Sequence, residues 1–205
     1  HSFPTRRSSD LLLPKELIMN NDMMIGYTMD YFPYAFNLFD RFVRTKEVDV
    51  NDIFKATIKA SKILREIHDN GIILQDFTFG NILINGNGDI KINDIDACSY
   101  HDISSPYISV IMNQYYKFMG KRPTLDENMD RQSLFLSMLC SIYDMLVLEE
   151  EYYNLYSGKI KTLDELKSLF TRLMNSTKTE IPYLDEVLGE EHFIIDRDEQ
   201  KKYMK

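Results

Sequence analysis

Cysteine is scarce in this chain, which holds only Cys98 and Cys140. Two cysteines in these positions form neither a metal-ligand spacing nor a disulfide framework. They exclude a disulfide-rich secreted scaffold and read as reduced, buried thiols of a cytoplasmic protein. Basic charge is also short: 24 Lys and Arg stand against 32 Asp and Glu, a net charge of −8. No basic stripe is found, which argues against nucleic acid or an anionic membrane surface as partner. Long apolar runs are missing too. The longest, Ser133 to Leu148, is interrupted by Ser137, Ser141 and Asp144. It falls short of the roughly 20 apolar residues that cross a bilayer, so a buried helix is expected there. Internal repeats and low-complexity tracts are absent. What the chain does have is apolar bulk, 44% with 13 Tyr and 12 Phe in 205 residues, enough to bury a sizeable core in one domain or most of one.

The first eleven residues, HSFPTRRSSDL, could be taken for a basic, Ser-rich targeting arm. They match better the translation of a common short-read sequencing adapter, and the chain opens on His. Residues 1–11 are therefore set aside from the fold, and Leu12 is expected to be a truncation point of a longer gene product.

From Leu12 the sequence reads as two short strands, LLLPKELIM and MMIGYTMDYF, joined by a turn at Asn20-Asn21-Asp22 and closed by Pro33. Asn37 to Arg44 is a short helix candidate. A longer helix, capped by Asn51, places Ile53, Phe54, Thr57, Ala60, Ile63, Leu64 and Ile67 on one face. Lys55, Lys59, Lys62 and Glu66 lie outside. Gly71 is expected to end it in a left-handed conformation. Ile82-Leu83-Ile84 and Ile90-Lys91-Ile92 are strands around the turn Asn85-Gly86-Asn87-Gly88. Residues 97–127 lack periodicity and read as a long functional loop. Asp130 to Leu148 is an apolar helix. A capping box at Thr162-Leu163-Asp164-Glu165 opens another to about Asn175. Ile181 to Leu188 is a further helix candidate, and Glu190 to Lys205 a charged tail.

The chemistry concentrates in LQDFTFGNILINGNGDIKINDID, Leu74 to Asp96. Asn81 follows Asp76 by five residues and Asp94 follows Asn81 by thirteen. A tight hairpin between them would gather all three side chains at one end. An Asp and an Asn supply oxygen ligands suited to Mg²⁺, which keeps waters and substrate phosphates as its other ligands. A second Asp can take a hydroxyl proton or orient the nucleophile in phosphoryl transfer. The blander reading is a hairpin rich in turn-favouring Asn and Asp.

His68-Asp69-Asn70-Gly71-Ile72-Ile73 followed by Asp76-Phe77-Thr78-Phe79-Gly80-Asn81-Ile82-Leu83-Ile84 resembles the catalytic loop of the protein-kinase superfamily, H-R-D-L-x-x-x-N after a helix ending L-H-x-x-G-I. Asp94-Ile95-Asp96 falls where the family's metal-binding D-F-G belongs. Gly26-Tyr27-Thr28-Met29-Asp30-Tyr31-Phe32 is similar to the adenine-holding strand and hinge. Asp130-Arg131-Gln132-Ser133-Leu134 is similar to the start of the buried helix that anchors the catalytic loop. The likeness spans roughly Leu12 to Leu173, with four features in family order.

The resemblance implies an α+β fold, a mainly α-helical C-lobe with a short β-hairpin. Residues 12–36 would be a remnant of the N-lobe and hinge, 37–180 the C-lobe, and 181–205 a helical or charged tail. It implies Asp76 as the catalytic residue facing the acceptor hydroxyl, and Asn81 and Asp94 as Mg²⁺ ligands. Met29 would be the gatekeeper, with the Asp30 and Phe32 backbones bonding adenine and Leu83 packing under it. His68 and Asp130 would be structural supports, ATP the co-substrate, and a Ser or Thr hydroxyl of a protein the acceptor.

Departures from the pattern are specific. Gln75 replaces the Arg of H-R-D, so dependence on a phosphorylated activation loop is not expected. Thr78 stands where Ser/Thr kinases carry a Lys, which removes a positive charge. Asp96 replaces the Gly of D-F-G, as a further metal ligand or a solvated acid. No A-P-E is found, and Ser104, Ser105, Tyr107 and Thr124 are ordinary loop hydroxyls. No Gly-rich loop or V-A-I-K lysine precedes Met23, and Lys15 is too near the hinge strand to serve. The 205-residue chain by itself is accordingly expected to show no turnover. Two alternatives stay open: a small-molecule kinase of the aminoglycoside or choline kinase type, whose D-x-[DE] motif Asp94-Ile95-Asp96 fits, and a pseudokinase acting as an interaction module.

Overall fold

The computed structural model describes residues 10–42, 49–100, 124–143 and 180–188. The expected helix from Thr162, the tail from Glu190, and Ser104, Ser105 and Tyr107 lie outside them. Within the described residues the chain mixes helix and strand, as the α+β expectation requires.

Strands β1 (Pro14–Asn20) and β2 (Met23–Met29) form an antiparallel hairpin. Asn21 (φ 47°) and Asp22 (φ 62°) both take positive φ. That conformation matches the twist of flanking strands, and Asn and Asp tolerate it better than other side chains. The second strand stops at Met29, short of the Pro33 expected from sequence. Its partner β1 begins at Pro14, opposite Met29. Beyond Pro14 the chain leaves the hairpin: the Leu12 N–H donates to the Ile92 carbonyl at 2.8 Å. The residues directly after Met29 therefore have no β1 residue opposite them. The Ile92 N–H in turn donates to the Asp10 carbonyl at 2.7 Å. Asp10 and Leu11, set aside on sequence grounds, thus join the fold: Asp10 through its carbonyl, and Leu11 through a side chain that packs against the core. The hairpin exposes apolar side chains, Leu17, Met23, Met24 and Ile25 among them.

A second sheet orders β3 (Phe36–Asn37), β5 (Ile82–Ile84) and β6 (Ile90–Ile92), all antiparallel. The strands β5 and β6 fall where the apolar runs placed them. Asn85 makes the turn between them. Its side-chain oxygen accepts the N–H groups of Asn87 and Asp89, each at 2.9 Å. Gly88 supplies the positive φ of 77° that the turn requires. Ile82, Ile90 and Ile92 face the core, while Leu83 and Lys91, paired across the strands, share the other face. A two-stranded ribbon joins β4 (Ile72–Ile73) to β7 (Ser99–Tyr100).

The core lies between two long helices. Helix α2 (Val50–Asp69) follows the short α1 (Leu38–Phe42) and buries the face read from its periodicity; Ile63 is only partly covered. Its cap is Asp49 rather than Asn51. The Asp49 carboxylate accepts the Asn51 N–H at 2.8 Å, because Val50 already belongs to the helix and is buried. Gly71, at φ 73°, ends α2 as expected, and its N–H reaches the His68 carbonyl at 2.8 Å. Helix α3 (Glu127–Tyr143) starts one turn before the Asp130 expected from sequence, since Asp126 accepts the Met129 N–H at 3.0 Å. It is buried nearly all round, which is why it reads as apolar without a clear polar face. Ile181 is buried ahead of a single-turn helix, α4 (Leu184–Leu188), shorter than the Ile181–Leu188 helix expected. Among the described residues no helix is long and apolar enough to cross a membrane.

Candidate functional site

The loop that carries Asp76 is held from below. Asp130, in the first turn of α3, is fully buried and takes three donors. Its carboxylate accepts the Leu74 N–H at 2.6 Å and the Gln75 N–H at 2.7 Å, and lies 3.0 Å from His68 Nε2. Two short bonds from consecutive N–H groups to one buried side chain fix the two residues before Asp76, since a buried donor left unpaired would be costly. Phe77 and Phe79 then bury their rings, and the Phe79 N–H donates to Ser137 Oγ at 3.3 Å. With alternate side chains drawn into the core, Asp76 and Thr78 are left half-buried. Short main-chain bonds, Thr78 N–H to Asp76 O at 2.9 Å and Asn81 N–H to Thr78 O at 3.0 Å, close the loop into β5.

Asp76 and Asn81 meet. The Asn81 amide donates to the Asp76 carbonyl at 3.0 Å and to its carboxylate at 3.1 Å. The Asn93 N–H donates to the Asn81 carbonyl at 2.8 Å, which brings the residue before Asp94 alongside. Asp94 itself sits in the left-handed region at φ 57° and is exposed, as is Asp96. Backbone strain of this kind in a non-glycine residue costs about 1–3 kcal/mol and persists where the surroundings over-determine it.

The carboxylates feel one another. Burial pushes the Asp76 carboxyl above the usual carboxylate range. The Asn81 amide pulls it back, and the charges of Asp94, Asp96 and Asp130 push it further up. Desolvation and the neighbouring Asp96 hold Asp94 above that range as well, with the Asp96 carboxyl within hydrogen-bonding reach. A raised carboxyl favours the neutral acid in the fold. Its contribution to stability is full below the unfolded value, near 3.8, and is lost as pH rises through the folded value. Asp76→Asn is therefore expected to raise the thermal midpoint at pH 7 and to give no gain near pH 3. A pH series of melting curves for both proteins checks this.

Gln75 differs most from its sequence reading. There it marked a lost arginine. In the structure it is fully buried at φ 65°, and its side-chain amide donates to Ser99 Oγ, tying the Asp76 loop to β7. Gln75 Oε1 has no hydrogen-bond partner among the described residues.

The nucleotide-side residues are less convergent. Met29 ends β2, and Asp30 is exposed, its carboxylate paired with Lys15 at 2.5 Å. The Phe32 ring lies 5.8 Å from Lys91 Nζ, and Lys91 pairs across β5–β6 with Leu83. Phe32 and Leu83 are thus brought towards one face of that hairpin, whereas Met29 and Asp30 stay with the outer hairpin.

Sequence reading missed Tyr183, whose hydroxyl lies 2.9 Å from His68 Nδ1, and Ser99. Neither carries a local motif, and Tyr183 is 115 residues from its partner. Among the described residues, no group of three or more His, Cys, Asp or Glu side chains forms a metal cage by itself. No protein-family model matches the chain, and no curated protein matches it in sequence.

Proposed function

We propose that this chain carries the metal- and acceptor-facing half of an ATP-dependent phosphotransfer site of protein-kinase type, acting on a Ser or Thr hydroxyl of a protein. The observation that carries this reading is the bond between the Asp76 and Asn81 side chains, with Asn93, the residue before Asp94, bonded to the Asn81 carbonyl, above a loop bonded to Asp130. Asp76 faces the acceptor hydroxyl, and its raised proton affinity suits a residue that takes or steers a proton. Asn81 commits its amide nitrogen to Asp76, which leaves its side-chain oxygen as a ligand atom, and the exposed Asp94 carboxylate would be the other. Oxygen donors of this kind fit Mg²⁺, which when bound offsets charge on the phosphates of ATP. Met29, Asp30, Phe32 and Leu83 belong to the adenine side, and His68 and Asp130 support the loop. In this reading the helical bulk is a kinase-like C-lobe, and β1–β2 belongs to the N-lobe.

Metal affinity tests the reading on the chain itself. Mn²⁺ added to the ¹⁵N-labelled protein is expected to broaden the amides of Asn81, Asn93 and Asp94 first. Asp94→Asn is expected to weaken that binding by more than about tenfold. Broadening elsewhere, or equal affinity in the variant, defeats the assignment and favours an interaction module without catalysis.

A second reading, a small-molecule kinase of the aminoglycoside or choline kinase type, is favoured by one observation. Asp96 lies beside Asp94, as a paired metal motif would require. If Asp96→Asn weakens Mn²⁺ as much as Asp94→Asn does, that reading gains; if it does not, Asp96 is a solvated acid.

A further inference from the structure

Residues 180–188 reach back to the Asp76 loop through an unbroken chain of hydrogen bonds. The Tyr183 hydroxyl meets His68 Nδ1 at 2.9 Å, and His68 Nε2 meets the Asp130 carboxylate at 3.0 Å. That carboxylate accepts the Leu74 and Gln75 N–H groups directly before Asp76. The segment is pinned on both sides of Tyr183. Arg65, from α2, donates to Asp185 at 2.8 Å and to Glu186 at 2.6 Å, while Arg131, from α3, reaches Glu180 at 3.2 Å. Both guanidiniums also lie over the Tyr183 ring, at 4.3 and 4.8 Å from its centroid. Ser61 Oγ adds a bond to Asp185 at 2.7 Å, and the Ile181 N–H one to Asn128 at 2.6 Å.

We propose that Tyr183 is a positioning residue for the Asp76 loop: its hydroxyl fixes the His68 imidazole, which in turn holds the Asp130 carboxylate against the Leu74 and Gln75 amides. The chemistry follows from the two ring nitrogens. Nε2 faces a carboxylate oxygen of Asp130, an acceptor, and so is placed to donate its proton there. Nδ1 is then an acceptor and needs a donor inside a buried site, and the Tyr183 O–H supplies it. The partner at one nitrogen thus sets the tautomer and the orientation at the other. Without the hydroxyl, the imidazole is free to change tautomer or turn, and Asp130 loses an aligned donor. The arrangement also couples residues 180–188 to the site: whatever shifts that segment shifts the support under Asp76.

The functional meaning of this brace rests on the reading of Asp76 given above, but its test involves neither nucleotide nor metal. Failure of the phosphotransfer reading shows in the Mn²⁺ titration; failure of the brace shows in amide exchange. Tyr183→Phe keeps the ring under both arginines and removes only the hydroxyl. The Leu74 and Gln75 amides are expected to exchange about tenfold faster, the scale of one net hydrogen bond, while Leu64 inside α2 keeps its rate. Unchanged exchange at Leu74 and Gln75, or an equal acceleration at Leu64, overturns the proposal; the second result would make Tyr183 a purely structural residue. A separate measurement on the unaltered protein guards against a variant that folds poorly. Imidazole ¹⁵N shifts are expected to place the His68 proton on Nε2, and a proton on Nδ1 overturns the proposal.

Discussion

Asp130→Ala is expected to cost about 3 kcal/mol or more, since each buried donor left without a partner costs about 1–3 kcal/mol, and to leave much of the chain unfolded. The carboxylate is fully buried, and it serves the Leu74 and Gln75 N–H groups and His68 Nε2 together. Alanine strands all three donors away from water. Stranded donors, more than the lost attraction, make up the cost. Asp130→Asn should fall between: its oxygen can still accept, but its NH₂ opposes a donor. Urea unfolding of the two variants beside the wild type measures both. Equal stability of Asp130→Ala and wild type would remove the basis for treating Asp130 as the anchor of the loop.

The other large effect concerns chemistry. If the proposed phosphotransfer reading holds, Asp76→Ala is expected to lower transfer by about 10²–10⁴-fold, the usual contribution of a positioned acid or base, with nucleotide affinity nearly unchanged. Transfer is to be measured in a form supplied with a glycine-rich loop and an ATP-positioning lysine, since neither motif is found in the 205 residues. The expectation follows from place: Asp76 is half-buried, bonded to Asn81 and near Asp94, but no backbone donor of its own loop neutralises it. A variant with near-normal transfer would assign the proton to another group. Asp76→Asn separates the two roles, since it keeps the bond from Asn81 and removes the basic oxygen. It should transfer poorly and melt higher at pH 7.

The two effects draw on opposite sides of one arrangement. Asp130 is buried and fully served by donors, so it stabilises the loop. Asp76 and Asp94 stand among like charges, and both prefer the neutral acid. A fold that keeps such groups ionised at neutral pH gives up stability to do so, a common compromise at functional sites.

Local patterns were legible in the chain wherever a period or a turn residue carries the signal. The buried face of α2 follows the 3.6-residue spacing of Ile53, Phe54, Thr57, Ala60, Leu64 and Ile67. The β5–β6 hairpin follows from two apolar triplets around Asn85 and Gly88, and Gly71 marks the end of α2. The five-residue spacing of Asp76 and Asn81 fits the bond between them, and the hairpin returns the chain so that Asn93, next to Asp94, bonds the Asn81 carbonyl. Element ends were less legible. Asp49 rather than Asn51 caps α2, and Asp126 rather than Asp130 marks the start of α3, because several Asx residues in a row compete for the cap and packing chooses among them.

What the sequence determined by itself is the set of short-range geometries: which segments coil, which turn, and that two carboxylates and a carboxamide sit on either side of a tight hairpin. What only the tertiary structure decided is who supports them. Asp130 lies 55 and 56 residues from the amides it holds, Tyr183 lies 115 from His68, and Gln75 finds Ser99 across 24. Such pairs leave no period or spacing in the chain, because their contact depends on how α2, α3 and residues 180–188 pack rather than on any local preference. Gln75 shows the same thing: beyond its place in the catalytic-loop pattern, its side chain has a partner that only the packed core brings within reach.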